Sequence, residues 1–141
     1  MDAGLARIGI AISEGSLALP LDLINNSETA ASEIAELASQ RQVGAIYVGL
    51  PLSLSGSFTA SSLMAIDFGR QVASQTAIPV KFIDERLTTK TAQSRLHEAG
   101  RNTKNSKQRI DSQAAALILE FALASERDGA LAGKSLEDLD A

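Results

Sequence analysis

The chain has 141 residues, 45% of them hydrophobic, and a formal net charge of −4 at pH 7, which supports one hydrophobic core and argues against two full domains or a uniformly basic surface. It contains no cysteine, which excludes disulfides, thiol catalysis and thiolate zinc sites and favours a reducing compartment, the cytoplasm. Its most apolar run, Ala114 to Leu119, ends at Glu120, and no basic leader precedes an apolar stretch, so we expect a protein without a membrane anchor.

The first predicted elements are strands. In the stretch "DAGLARIGIAIS", Asp2, Gly4 and Arg7 have the spacing of a strand end, a tight turn and a returning strand, with Asp2 at the rim. The isoleucines after Arg7 alternate with smaller residues, and "LALPLDLI" alternates again after a turn that contains glycine. This pattern predicts a β-hairpin.

The middle of the chain alternates helices with short strands. Ser27 can cap a helix that runs to about Gln40 and has Ala30, Ile34, Leu37 and Ala38 on one apolar face. The apolar run "VGAIYVGL" predicts a strand, the loop "PLSLSGS" follows it, and Ala65, Phe68 and Val72 then repeat at helical spacing. "IPVKFID" predicts the next strand. Alternating strands and helices after an antiparallel start indicate an α/β fold with a mixed sheet and helices on both faces.

Two further helices are predicted in the last third of the chain. The first begins at Thr88 and stops at Gly100, and the second runs from about Ile110 to Arg127. The stretch "RNTKNSKQR" between them reads as an exposed loop without acidic residues. It could dock on a phosphate backbone or form an ordinary solvated surface. Its cations are Arg101, Lys104, Lys107 and Arg109.

The C-terminal segment differs in composition from the rest. Five of the 17 acidic residues of the chain lie in residues 126–141, where hydrophobic periodicity is weak. We therefore expect one domain over residues 1–125, followed by a flexible acidic tail.

Three acidic residues stand at predicted element boundaries, where α/β sheets gather functional groups. Asp2 precedes the first turn, Glu85 follows a strand, and Asp111 starts the last helix. If they converge, three carboxylates repel one another unless a divalent cation lies between them, and Mg²⁺ prefers oxygen ligands. A site with two such ions would activate water and stabilise the leaving oxygen in phosphodiester cleavage.

Each acid also has a structural interpretation. Asp111 can cap the last helix, and Asp2 can belong to a disordered terminus. Asp84 and Glu85 can be surface charges, one of them paired with Arg86. Other chemistries have less support, because the chain lacks G-x-G-x-x-G and G-K-[ST] motifs and its single histidine lies in the middle of a predicted helix.

Four stretches, in this order and spacing, resemble the YqgF family of bacterial proteins: "DAGLARIGIAIS", "IYVGLPLSLSGS", "FIDERLTT" and "RIDSQAAALILE". This family is described as Holliday-junction resolvases and as pre-16S rRNA processing nucleases with an RNase H-like fold. The resemblance covers roughly residues 2–124. It implies a metal-dependent nuclease that processes the ends of pre-16S ribosomal RNA, with branched DNA as the alternative substrate.

The resemblance also implies roles for individual residues. Asp2, Glu85 and Asp111 match the family's acids and would be catalytic ligands of Mg²⁺ or Mn²⁺. Asp84 would orient Arg86 or a metal-bound water. Contacts to phosphate or substrate are expected from Arg7, Gly49, Leu50, Pro51 and Arg86 by position in the family pattern, and from Lys104, Lys107 and Arg109 by charge.

The chain departs from the family pattern at two places. Ser55 stands where family members usually have an acid, so a contact of that loop is expected to differ. Only Met1 precedes Asp2, where the family has several apolar residues that form the central strand. We therefore expect the first central strand to be truncated and the natural start to lie upstream.

Two other function classes remain open. One is a non-catalytic nucleic-acid-binding or ribosome-assembly module. The other is the actin and sugar-kinase superfamily, whose phosphate loop also has an Asp-x-Gly before a returning strand, although this chain is too short for two lobes and "DERLTT" has no place there. A junction resolvase would act as a symmetric homodimer, whereas RNA trimming is compatible with a monomer.

Overall fold

The computed structural model describes residues 1–14, 17–86, 106–126 and 131–140, and for Asp22, residues 106–112 and Asp140 it describes the backbone alone. The predicted helix from Thr88 to Gly100, together with Arg101 and Lys104, lies outside the described residues. None of the described helices combines the length and apolar character that a bilayer crossing requires.

The described residues form strands and helices in the following order: β1 (Asp2–Ala3), β2 (Arg7–Glu14), β3 (Leu17–Asn25), α1 (Ala30–Gln40), β4 (Ile46–Leu50), α2 (Ala60–Ala73), β5 (Val80–Asp84), α3 (Ser106–Ser125) and α4 (Leu136–Asp140).

The strands pair in two sets that Met1 brings side by side. β1, β2 and β3 are antiparallel, whereas β4 and β5 are parallel. The Met1 nitrogen donates to the Tyr47 carbonyl oxygen (2.5 Å), and the Gly49 nitrogen donates to the Met1 carbonyl oxygen (2.8 Å). This is the hydrogen-bond pattern of neighbouring parallel strands. The spatial order is therefore β3-β2-β1-β4-β5, a mixed arrangement with the short β1 at its centre.

Helices cover both faces of the strands. Successive side chains of a strand point to opposite faces. Val48 and Phe82 pack in one core with α1 and α2, whereas Tyr47 and Ile83 pack in a second core with Ile118 of α3. The predicted mixed α/β architecture, including the N-terminal hairpin, is confirmed.

The first helix begins slightly later than the sequence suggests. Its N-cap is Thr29, whose side chain makes no capping hydrogen bond, and the predicted cap Ser27 was wrong. The Ser27 hydroxyl instead lies 3.1 Å from the Thr29 hydroxyl. The predicted buried face is confirmed, because Ala30, Ile34 and Ala38 are all buried.

The last long helix begins earlier than predicted. It starts at Ser106, so Lys107 and Arg109 lie in its first turn and not in a loop. Asp111 then falls in the second turn, which rules out its interpretation as the N-cap. The stretch predicted as a loop contains lysine, glutamine and arginine. These residues are also good helix formers.

The described residues 131–140 pack against the sheet, in contrast to the flexible tail expected from the charge of residues 126–141. The backbone of Lys134 accepts a hydrogen bond from the Phe82 nitrogen (2.8 Å) and donates one to the Phe82 carbonyl oxygen (3.0 Å). Ala132 is buried, and Leu136 and Leu139 pack against the core. These apolar residues are spaced among the acids and supply hydrophobic contacts that net charge does not reveal.

This packing gives a testable prediction at Gly133. Its φ is +77°, and an added Cβ would lie 2.4 Å from the Phe82 carbonyl oxygen. We expect Gly133→Ala to lower the free energy of unfolding by about 2–3 kcal/mol, measured by urea denaturation. Gly44→Ala is the matched control, because a Cβ at Gly44 meets nothing within 4 Å. Equal effects of the two substitutions would show that the C-terminal segment does not pack as described.

Candidate active site

The carboxyl ends of β1, β4 and β5 meet at one edge of the sheet, which we call the carboxyl edge. Met1 hydrogen-bonds to Tyr47 and Gly49, so Asp2 follows at the level of Gly49. On the other side of β4, the Glu85 nitrogen donates to the Leu50 carbonyl oxygen (3.0 Å). The predicted convergence of Asp2 and Glu85 at this edge is therefore found in the structure.

The two carboxyl groups touch. Glu85 and Asp2 share a side-chain hydrogen bond, and the pKa of Glu85 is raised to about 8, first by burial and then by the charge of Asp2. The amino group of Met1 acts in the opposite direction on this pKa. One proton is therefore held between the two carboxyl groups at neutral pH when no cation is present.

Gly49 provides the space for this pair. A Cβ at Gly49 would lie 2.4 Å from Oε1 of Glu85 and 2.5 Å from Cδ1 of Ile118. Both distances are far below van der Waals contact, so the Glu85 carboxyl lies directly on the backbone of β4. The sequence placed Gly49 in a substrate-contact loop, but its contact with Glu85 was not foreseen.

The backbone of α3 places Asp111 in the half of the helix that lies toward the carboxyl edge. Ile118 contacts the Gly49 region, and Tyr47, two residues before Gly49, donates to Glu126 (2.5 Å) after the helix ends. The helix therefore runs antiparallel to β4, with its N-terminal half toward the carboxyl edge. Asp111 precedes Ile118 by two helical turns. Among the described side chains, no group of three residues could hold a metal ion. The side chain of Asp111 is not among those described.

Asp84 binds Arg86 rather than the carboxyl groups of Asp2 and Glu85, which we call the carboxyl pair. It accepts hydrogen bonds from Nη2 (2.6 Å), from Nε (3.0 Å) and from the backbone nitrogen of Arg86 (2.9 Å). These bonds hold the pKa of Asp84 below its usual range. Arg86 also donates through Nη1 to the Leu54 carbonyl oxygen (3.3 Å). Asp84 thus orients Arg86, which in turn holds the loop after β4.

The same loop is fixed from the side of α2. Thr59 and Ser62 form a capping box, in which the Ser62 nitrogen donates to the Thr59 hydroxyl (3.2 Å) and the Thr59 nitrogen to the Ser62 hydroxyl (2.8 Å). The buried Ser62 hydroxyl also donates to the Pro51 carbonyl oxygen. Sequence reasoning missed Ser62, because the usual capping box has glutamate or glutamine at this position.

Ser55, the departure from the family pattern, belongs to a row of hydroxyl groups. Its Oγ lies 2.9 Å from that of Ser53 and 3.1 Å from that of Ser57.

Of the predicted substrate-contact residues, Arg7 also lies at the carboxyl edge. It begins β2, and its carbonyl oxygen accepts a hydrogen bond from the Gly4 nitrogen (2.9 Å), which closes the predicted turn after Asp2. For Lys107 and Arg109 the structure describes the backbone alone, and Lys104 lies outside the described residues.

Comparison with known proteins adds independent findings. A family model described as "RuvX: Holliday junction resolvase" matches residues 1–125. A protein of Leifsonia xyli subsp. xyli is 41% identical over 131 residues, which cover 90% of this chain and 84% of the relative. A protein of Cutibacterium acnes is 37% identical over 132 residues (92% and 82%), and one of Maridesulfovibrio salexigens is 36% identical over 128 residues (88% and 95%). All three carry the name "Putative pre-16S rRNA nuclease".

The contact between Asp2 and Glu85 predicts how the free energy of unfolding depends on pH when EDTA removes divalent cations. The pKa of Glu85 is raised from 4.5 to about 8 by folding, so the folded state holds this proton more tightly. The contribution of this proton to the free energy of unfolding is complete below pH 4.5 and is lost as the pH rises through 8. We expect the free energy of unfolding to fall between pH 5 and pH 8, by roughly 1–3 kcal/mol after allowance for partial solvent exposure.

Glu85→Gln is the matched comparison for this prediction, because it keeps the size of the side chain and removes the charge. Urea denaturation at several pH values should give a flatter profile for Glu85→Gln and a more stable variant at pH 8. Parallel profiles of the two proteins would contradict the described pair.

Proposed function

The chain belongs to the RuvX family of Holliday junction resolvases, and from this membership and its curated relatives we propose that it is a metal-dependent nuclease that processes the ends of pre-16S ribosomal RNA. It is a hydrolase that acts on the ester bonds of nucleic acid. The observation that carries the metal dependence is the contact between the Asp2 and Glu85 carboxyl groups at the carboxyl edge.

Two carboxyl groups in contact fit a divalent cation. The raised pKa of Glu85 means that ionisation of both carboxyl groups near neutral pH is unfavourable without a compensating charge. A hard cation supplies that charge and takes oxygen ligands, so we assign Asp2, Glu85 and Asp111 as ligands of Mg²⁺ or Mn²⁺. When bound, such ions activate water and stabilise the leaving oxygen in phosphodiester hydrolysis.

The residues around the pair would hold the substrate. Arg7 and the segment Gly49, Leu50 and Pro51 border the carboxyl edge, and Arg86 lies beside Glu85 with its direction set by Asp84. We assign these groups to contacts with phosphate or sugar. Lys104, Lys107 and Arg109 would extend the contact along the phosphate backbone, because cations there release counterions from the nucleic acid.

A branched DNA junction is the second candidate substrate, favoured by the description of the matching family model. The chemistry at the carboxyl pair would be the same. Paired cuts in a junction require two copies in symmetric arrangement, whereas RNA trimming requires one. We place the activity in the cytoplasm, where ribosomal RNA precursors are processed.

Cleavage assays with Glu85→Gln test the proposed nuclease. We expect the natural chain to cut a labelled pre-16S RNA precursor in Mg²⁺ or Mn²⁺, and the variant to lose about 100-fold or more in rate, because a ligand charge is removed. Asp67→Asn, which neutralises an exposed carboxylate on α2, is the control and should cut normally. A four-way DNA junction is assayed in parallel to decide between the substrates.

If the natural chain binds RNA and cuts neither substrate, the nuclease proposal fails and a binding module replaces it. If Glu85→Gln cuts as fast as the natural chain, Glu85 is not a ligand.

A second prediction concerns the space at Gly49. Gly49→Ala would push the Glu85 carboxyl away from β4, because the added Cβ would overlap Oε1. We expect a loss of about 10- to 100-fold in cleavage rate, since small displacements of catalytic groups have effects of this size. Gly44→Ala, before β4, is the control for a glycine-to-alanine change in open space. A Gly49→Ala variant with normal activity would show that the position of Glu85 is not critical.

A further inference from the structure

Large apolar side chains are exposed around the carboxyl edge. Of the five large hydrophobic residues exposed among the described part of the chain, four lie near this edge and one, Leu17, starts β3 at the opposite end of the sheet. The four are Leu5 in the turn after β1, Leu54 and Phe58 in the loop after β4, and Leu63 in the first turn of α2, and we call them the apolar rim. Single exposed hydrophobic residues are common, whereas several of them at one edge are typical of a contact surface.

Leu54 is the most exposed member of the rim, at 97% of its surface. Its backbone is nevertheless held on several sides. Nη1 of Arg86 donates to its carbonyl oxygen (3.3 Å), and the turn around it is closed by hydrogen bonds from the Ser53 nitrogen to the Ser57 carbonyl oxygen (3.0 Å) and from the Gly56 nitrogen to that of Ser53 (2.9 Å). An ordered turn thus presents an apolar side chain that contributes nothing to the core.

The hydrogen bond from Arg86 fixes the position of Leu54. Arg86 directly follows Glu85, and its guanidinium group is fixed by Asp84. The tip of the loop is therefore tied to the residue next to the carboxyl pair. A nucleic acid whose phosphodiester bond reaches Asp2 and Glu85 would therefore have this loop tip as a neighbour.

We propose that the apolar rim, with Leu54 foremost, contacts unpaired bases next to the cleaved bond, an inference that rests on the proposed nuclease function. In a regular duplex the base faces are stacked inside and the outer surface carries phosphates and sugars, so an apolar side chain at the edge gains little there. Unstacked bases expose apolar faces, against which leucine and phenylalanine pack in known nucleic-acid complexes. The preferred substrate is therefore a single-stranded end or a branch point.

A protein partner is the less favoured occupant of the rim. The rim borders the carboxyl pair on the sides of β1, β4 and α2, so a protein bound across it would cover the site that the substrate must reach. Contact with the substrate itself explains both the exposure and the position of these side chains.

Tryptophan fluorescence tests this contact directly, because the chain contains no tryptophan. Leu54→Trp introduces one fluorophore at the loop tip, and Leu17→Trp introduces one at the opposite end as the control. Both are made together with Glu85→Gln and titrated in EDTA with a short unpaired RNA and with a duplex of the same sequence, so that cleavage does not interfere. We expect unpaired RNA to quench the Leu54→Trp variant at least about twofold, since bases stack on aromatic rings, and to leave the Leu17→Trp variant unchanged.

Affinity measurements with alanine variants complete the test. Leu54→Ala should weaken binding of unpaired RNA by roughly fivefold or more and change duplex binding little, whereas Leu17→Ala should change neither. Equal binding of unpaired RNA by Leu54→Ala and the natural chain, equal quenching by unpaired and duplex RNA, or no binding of unpaired RNA would each overturn the proposal. Failure of the nuclease proposal appears separately, as the absence of cleavage by the natural chain.

Discussion

The close approach of the Glu85 carboxyl group to the backbone of Gly49 is the constraint on which the site depends. Only a residue without a side chain leaves room there, because a Cβ would overlap both Glu85 and Ile118. The approach seats Glu85 between β4 and α3, and it brings Glu85 into contact with Asp2, which follows Met1 beside β4. A parallel strand pair, a helix above it and a glycine between them are thus sufficient to gather the acids.

This arrangement opposes stability when no cation is present. Burial and the neighbouring charge raise the pKa of Glu85 to about 8, so ionisation of the pair near neutral pH disfavours the folded state. The two apolar cores, one on each face of the strands, compensate for this cost. The conflict between charge and burial is typical of active sites, where perturbed pKa values cluster.

Three consecutive residues, the last of β5 and the two that follow it, have different contacts. Glu85 contacts Asp2 and the β4 backbone, while Asp84 and Arg86 pair with each other and reach the loop after β4. The carboxyl groups of Asp2 and Glu85 and the loop that carries Leu54 are therefore joined through adjacent positions of the chain.

The sequence by itself determined the order of most strands and helices, the N-terminal hairpin and the buried face of α1, because these follow from hydrophobic periodicity over a few residues. It also carried the four motifs of the family. Only the tertiary structure decided the contacts between Gly49 and Glu85, between Arg86 and Leu54, and between Lys134 and Phe82. Each joins residues far apart in the chain, and no local pattern encodes such a distance. The early start of α3 was missed for another reason, since its first residues suit a loop and a helix equally well, and packing against the strands decides between them.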